Sequence, residues 1–237
     1  MEAFELAEGL QTPVFVLSDL DLGMNAWMSK AFEYPEEPIH RGKVLDAEGL
    51  AAMQDWGRYK DVDGDGVPYR TLPGTHHPKA PYFTRGSGHT AAAEYTEKAD
   101  EYKEVLDRIK RKIRGSTAHS PAPVIEGEGD IGLIHFGSSS AAVDEARHVL
   151  AKEGLETRSL RLRALPVHDE VLQFIKDCKT IYVVEQNRDA QLRDILRLEL
   201  PEIADRIQSI LEYGGLPMPA QVVIDALRVG SPEPAHV

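Results

Sequence analysis

The segment DVDGDG at 61–66 sets Asp61, Asp63 and Asp65 at alternate positions and closes on Gly66. Three carboxylates this close repel one another, and converging oxygens are what a hard cation such as Ca2+ or Mg2+ takes as ligands. A cation site over 61–67 is one expectation. The other is an acidic surface turn held by local hydrogen bonds, with an arginine or another counter-cation beside it. The fit to a helix–loop–helix calcium loop is incomplete, because its twelfth position is Leu72 rather than a bidentate glutamate.

A second cluster lies in GTHHPKAPYFTRGSGH, which holds His76, His77, Arg85 and His89. Three histidines suggest zinc, but neighbours in an extended chain point to opposite sides, so His76 and His77 rarely serve one ion. Loop packing is the plainer reading. GSSSA at 137–141 follows an apolar run and opens a helical pattern. Its chemistry is either an anion cradle on a helix N-terminus or simple capping by Ser139 or Ser140. A hydrolase elbow needs an acid and then a histidine downstream, and after His168 only His236 in a Pro-rich tail follows. EQNRD at 185–189 ends another apolar run, where polar residues face a ligand, cap the next helix or meet a partner.

The elements that carry these residues fall into three textures. Residues 1–35 read as a helix, MEAFELAEGLQ, and then a buried strand in PVFVLSDLDLGMNAWM. Residues 36–90 are rich in Pro, Gly, His and Asp. A long helix is predicted over 91–114, with Tyr95, Ala99, Tyr102, Leu106, Ile109 and Ile113 on one stripe. Its end, RIKRKIR at 108–114, reads as basic side chains complementing the helix dipole.

From 121 onward strands and helices alternate. IGLIHFG, ETRSLRLR, TIYVVEQ and IQSILEY read as strands. The helices between them start near 138, 168, 190 and 218. This period predicts an α/β domain with a parallel sheet covered on both faces. One helix and one strand at 1–35 cannot complete a sheet, so that strand is expected to belong to a sheet formed by chain outside Met1 or by the edge of the C-terminal sheet.

Composition sets outer limits. The chain has 237 residues and a formal net charge of −12, from 27 Lys and Arg against 39 Asp and Glu. That balance argues against a nucleic-acid binder. No window approaches a membrane span and no signal peptide opens the chain, so a cytoplasmic setting is expected. The single cysteine, Cys178, reads as a small buried hydrophobe and excludes an intrachain disulfide.

Four blocks in order, ELAEGLQTPVFVLSDLDLGMNAWM, DVDGDGVPYRTLPGTHHP, YFTRGSGH and IYVVEQNRDAQL, resemble the alpha subunit of 2-oxoacid:ferredoxin oxidoreductases, particularly the 2-oxoglutarate type. The resemblance implies that 1–35 is the end of a thiamine-diphosphate pyrimidine-binding domain. It implies a linker over 36–120 and a transketolase C-terminal-like α/β domain over 121–237. The family's tyrosine–proline–isoleucine–threonine–proline segment, its cofactor-contacting glutamate and its substrate arginine are not found in this sequence. In the family, thiamine diphosphate, Mg2+ and an iron–sulfur cluster act in the assembled enzyme, with a beta subunit, and electrons pass to ferredoxin.

The implied role is therefore part of an enzyme that decarboxylates a 2-oxoacid to an acyl-CoA, with this chain as scaffold and subunit interface beside a beta subunit and the remaining alpha or gamma portion. Arg85 and His89 are candidates to line the approach of substrate or coenzyme A. Glu185, Gln186 and Asn187 are candidates for the interface. Asp61, Asp63 and Asp65 are the candidate metal ligands. The alternative is a stand-alone, non-catalytic α/β interaction module, stabilised by calcium if the Asp loop binds it.

Overall fold

The structure is a computed structural model that describes residues 2–26, 28–84 and 86–229. Two compact units emerge, and each is discontinuous in sequence. Unit 1 comprises residues 1–16 and 31–120; unit 2 comprises 17–30 and 121–237.

Unit 2 is the expected α/β unit. After the short helix α2 (Leu20–Met24) it contributes β1 (Val124–Glu126), β2 (Ile131–His135), α5 (Ser139–Lys152), β3 (Thr157–Arg161) and α6 (Asp169–Asp177). Then come β4 (Thr180–Glu185), α7 (Gln191–Glu199), β5 (Ile207–Leu211) and α8 (Ala220–Arg228). The sheet order is β1-β3-β2-β4-β5. Strands β3, β2, β4 and β5 run parallel, while β1 pairs antiparallel with β3 at the edge. Sequence reading passes over β1 because three residues carry too little periodicity.

Strand alternation sorts side chains to two faces. Leu133, Tyr182, Val184 and Ile210 pack with Val143, Ala146 and Leu150 of α5 and with Val223 and Ile224 of α8. Ile134, Leu160, Ile181, Val183 and Ile207 pack with Phe174 and Ile175 of α6 and Leu192 and Leu196 of α7. Both faces are covered, as the continuous apolar strands require. Cys178 belongs to the second cluster and is 1% exposed.

Unit 1 contains α1 (Glu2–Leu10), α3 (Ala47–Ala52) and α4 (Ala99–Gly115), joined by loops and by isolated bridges Val44–Arg70 and His89–Tyr95. Helix α3 and the Val44–Arg70 bridge thus lie within the segment 36–90. Helix α4 starts at Ala99 rather than 91. The Thr90 hydroxyl accepts hydrogen bonds from the amides of Ala92 and Glu94 and holds 90–94 in a turn. The buried face of α4 also differs from the apolar stripe. Val105, Arg108 and Lys112 are buried, whereas Tyr102, Leu106 and Ile113 are exposed.

The reason is hydrogen bonding. Arg108 Nη1 donates to the Gly66 carbonyl at 3.0 Å, and Lys112 Nζ donates to the Gln11 carbonyl at 3.0 Å. Long cationic side chains bury their stems while their heads satisfy loop carbonyls. Gly66 makes this approach possible: its φ is +83°, and a Cβ there would lie 2.6 Å from Arg108 O and from Lys112 N.

The strand expected after α1 does not form. Residues 13–19 are without regular structure, and Phe15, Val16 and Leu17 are exposed, Leu17 at 89%. A strand is defined by its neighbours, and among the described residues none pairs with the segment. Among the described residues, no helix is long and apolar enough to cross a membrane.

Candidate functional site

In unit 2 the chain leaves β2 through α5 toward β3, and returns through α6 to β4 on the other side of β2. The carboxyl ends of β2 and β4 therefore flank a topological switch point, the usual ligand crevice of a parallel sheet. GSSSA lies at the end of β2 and EQN at the end of β4.

The anion cradle of the first sequence reading exists, and the chain fills it itself. Asp19 Oδ2 accepts the Ser138 amide at 2.7 Å, at the N-terminus of the fourteen-residue α5. Its Oδ1 accepts the Leu22 amide at 2.9 Å, capping α2 as well. Asp21 Oδ2 receives the Ser138 hydroxyl at 3.2 Å, and Gln186 Nε2 donates to Ser138 Oγ at 2.8 Å. Burial alone would raise the Asp19 pKa, but the bonds from Leu22 and Ser138 outweigh it and hold the carboxyl below the usual range. Gly137, at φ +60°, admits this carboxylate, since a Cβ would stand 2.5 Å from Asp19 Oδ2. Capping by Ser139 or Ser140 is replaced by this distant aspartate. Ser140 Oγ instead donates to Gly137 O at 3.0 Å.

Glu185 points into the fold of unit 2. It is 0% exposed and accepts from the amides of Leu192 at 2.8 Å and Arg193 at 3.0 Å and from Asn187 Nδ2 at 2.8 Å. Asn187 Oδ1 accepts from the amides of Asp189 and Gln191. Both side chains thus serve the N-terminus of α7, whose orphan amides need acceptors. Gln186 is half-buried against Ser138.

The acidic loop of unit 1 is neutralised by protein cations. Lys43 Nζ lies 2.6 Å from Asp63 and 2.7 Å from Asp65, and Arg111 Nη2 lies 2.8 Å from Asp61. Asp61 Oδ1 also accepts the amides of Gly64 and Gly66. Asp63 and Asp65 converge on the Lys43 ammonium while Asp61 turns to Arg111, and among the described residues no three His, Cys, Asp or Glu side chains are placed to hold a metal ion. The expected Ca2+ or Mg2+ site at 61–67 is corrected to an ion-paired turn. That turn keeps the counter-cation the sequence demanded.

His89 is buried and stacks on Tyr59 at 3.7 Å between ring centroids, with Nδ1 3.0 Å from Thr90 O. Burial pushes its pKa down, with Arg108 and Arg58 adding to the effect. Within this chain it packs the loop against Tyr59. Arg85 lies outside the described residues. His76 and His77 are not brought together with a third ligand among the described residues.

The groups that the resemblance implies for the assembled enzyme find no fit in these residues. Cys178, the sole cysteine, sits in the apolar core with its thiol pushed up by burial, and it is not placed to ligate an iron–sulfur cluster. The Asp loop carries its own cations, and no magnesium–diphosphate cradle is formed by its carboxylates.

No protein-family model matches the chain. Relatives are nonetheless detected along nearly its whole length, and they are oxidoreductase subunits. The resemblance is to the alpha subunit of 2-oxoacid:ferredoxin oxidoreductases. One such protein, 2-oxoacid:ferredoxin oxidoreductase 2, subunit alpha, of Aeropyrum pernix, is 28% identical over 96% of this chain and 35% of its own length. Among solved structures, the 2-oxoglutarate:ferredoxin oxidoreductase from Magnetococcus marinus, with 2-oxoglutarate, coenzyme A and succinyl-CoA bound, superposes with a TM-score of 0.77 at 25% identity. That match covers 95% of this chain and 38% of the other. The chain thus spans little more than a third of the proteins it resembles.

Proposed function

We propose that this chain is part of the alpha subunit of a 2-oxoacid:ferredoxin oxidoreductase, where it supplies scaffold and subunit interface. The assembled enzyme converts a 2-oxoacid to an acyl-CoA and passes electrons to ferredoxin, with 2-oxoglutarate the favoured substrate. The observation that carries this reading is the likeness to the Magnetococcus marinus enzyme, in fold and sequence, across 95% of the chain.

Two structural features support the scaffold role. The switch-point crevice is filled by Asp19, Asp21 and Gln186 of the chain itself. Residues 17–30 of unit 2 also expose Leu17, Leu20, Met24 and Met28, an apolar run of the kind that protein partners cover. The reading places the rest of the pyrimidine-binding domain against this run. It assigns thiamine diphosphate, Mg2+ and the cluster to the beta subunit and the remaining portion, and a cytoplasmic setting to the whole. When bound there, thiamine diphosphate supplies the carbanion chemistry of decarboxylation; this chain's residues hold α2 and α5 in place.

The test is co-expression with a beta-type subunit and the remaining alpha portion, followed by native mass spectrometry and a 2-oxoglutarate-dependent ferredoxin reduction assay. A stoichiometric complex that reduces ferredoxin is expected. A chain that stays monomeric beside both partners overturns the reading and favours a stand-alone interaction module.

A further inference from the structure

The apolar stripe of α4 lies on the outside of unit 1. Tyr102, Leu106, Ile109 and Ile113 follow at spacings of four, three and four, the pattern of a helix that packs along another helix. Yet Tyr102, Leu106 and Ile113 are 42%, 44% and 39% exposed, and Ile109 is half-buried. Single exposed apolar side chains are ordinary on a protein surface. A seam of them along a seventeen-residue helix marks a face that a partner covers.

Helix α4 does not need this seam to hold its place. Val105, Arg108 and Lys112 are buried on a neighbouring face, and the bonds to Gly66 O and Gln11 O fix the helix to its own unit. A partner therefore meets a helix already formed, with no cost of ordering it on this side.

Charge selects the kind of partner. From Arg108 to Arg114 five of the seven residues are Lys or Arg, and Asp107 is the sole acid between Leu106 and Ile113. Among the described residues, Arg111 alone of the five is salt-bridged, to Asp61 at 2.8 Å. Arg108 and Lys112 donate to carbonyls, which do not cancel their charge. Burial pushes the Lys112 pKa down, and the nearby Arg108 and Arg58 add to it, as for a cation short of counter-charge. Lys110 and Arg114 are exposed on the opposite flank. Leu106 and Ile113 thus run between two rows of cations. A second copy of α4 fits this charge poorly: laid antiparallel, Lys103 and Lys110 meet across the seam, and laid parallel, each basic end meets its like.

We propose that the seam of α4 is a docking site for an amphipathic helix of a partner protein, one that lays an apolar stripe on Tyr102, Leu106, Ile109 and Ile113 and sets acidic side chains against Lys110 and Arg114. This is the helix-in-groove mode of recognition, with the stripe supplying affinity and the flanking charges supplying choice. The site does not rest on the oxidoreductase reading.

The experiment uses the full 237-residue chain and two fluorescein-labelled peptides, followed by fluorescence anisotropy. Each peptide has three heptads with leucine at the a and d positions; one carries glutamate at e and g, the other lysine. The glutamate peptide is expected to bind saturably and at least about tenfold more tightly than the lysine peptide. Lys110→Glu combined with Arg114→Glu should reverse that preference, which mere apolar stickiness does not do. Leu106→Ser should weaken the glutamate peptide by about tenfold. All three positions are exposed, circular dichroism checks each variant's fold, and the charge reversal decides alone if Leu106→Ser misfolds. Equal binding of the two peptides, or a preference that the charge reversal leaves unchanged, overturns the proposal. So does a dimer of the chain alone in sedimentation equilibrium that Leu106→Ser dissolves, since the seam then belongs to a second copy.

Discussion

The two units are held together by different physics. Unit 2 buries leucine, isoleucine, valine and phenylalanine on both faces of a parallel sheet. Its polar groups work at the ends, where Asp19 and Glu185 satisfy the N-termini of α5 and α7. Among the described residues of unit 1, the buried apolar side chains are Leu10, Leu50, Val67, Ala80, Ala93 and Val105. In their stead, Arg108 and Lys112 reach to carbonyls, Arg70 and Arg41 hold Glu8, and Lys43 and Arg111 hold the acidic turn. Hydrophobic burial leaves a periodic trace in a sequence; carbonyl-seeking cations do not.

The comparison breaks most readily at its apolar side. Phe174→Ala removes a ring that is 1% exposed at the centre of one core cluster. A loss of about 4 kcal/mol is expected, read by urea denaturation followed by circular dichroism. A loss below about 1 kcal/mol would mean that this core is not what holds unit 2.

Next comes a pH effect. His135, 2% exposed, has its pKa pushed down to about 4 by burial, with Arg161 and Arg147 adding to it. The unfolded chain binds the His135 proton near pH 6.5 and the folded chain only near 4. Stability therefore falls as pH drops through that window, and above it this residue contributes no pH dependence. The drop attributable to His135 is about 3 kcal/mol. His135→Leu should flatten the stability profile between pH 6.5 and 4; an unchanged profile would place the histidine in a wetter setting.

Glu185→Gln tests the polar ends of unit 2. It leaves one acceptor oxygen for three donors, and a loss of about 1–2 kcal/mol is expected. Hydrogen exchange should locate the damage at the first turn of α7, in the amides of Leu192 and Arg193.

The smallest effects belong to the acidic turn. Lys43→Met should speed amide exchange at Gly64, Gly66 and Val67 with little change in midpoint, because partly exposed ion pairs contribute little and are screened by salt. Added Ca2+ should leave the melting temperature of the parent chain unchanged. A rise with Ca2+ concentration would restore the metal site by linkage.

The same contrast explains what could be read beforehand. From Ile131 to Arg228 the elements fall where the apolar runs and the stops at Gly154 and Pro201 put them. Helix α4 was legible as a helix, but its buried face was not, since Arg108 and Lys112 look like solvent-facing residues until Gly66 O and Gln11 O are seen beneath them. The segment 13–17 has strand composition but, among the described residues, no neighbour that pairs with it. At the site, GSSSA was legible as a cradle. Its occupant was not, because Asp19 lies 119 residues away.

The interleaving of the units bears on how the chain is made. Residues 17–30 are made before 31–120, yet they belong with 121–237. During vectorial synthesis they must wait while all of 31–120 emerges, with Asp19 and Asp21 apart from the Ser138 that they hold in the finished fold. Closing so long a loop costs entropy before any contact repays it. Swapping the order of the segments, so that 17–30 directly precedes 121, should therefore speed the maturation of unit 2 without altering its final contacts.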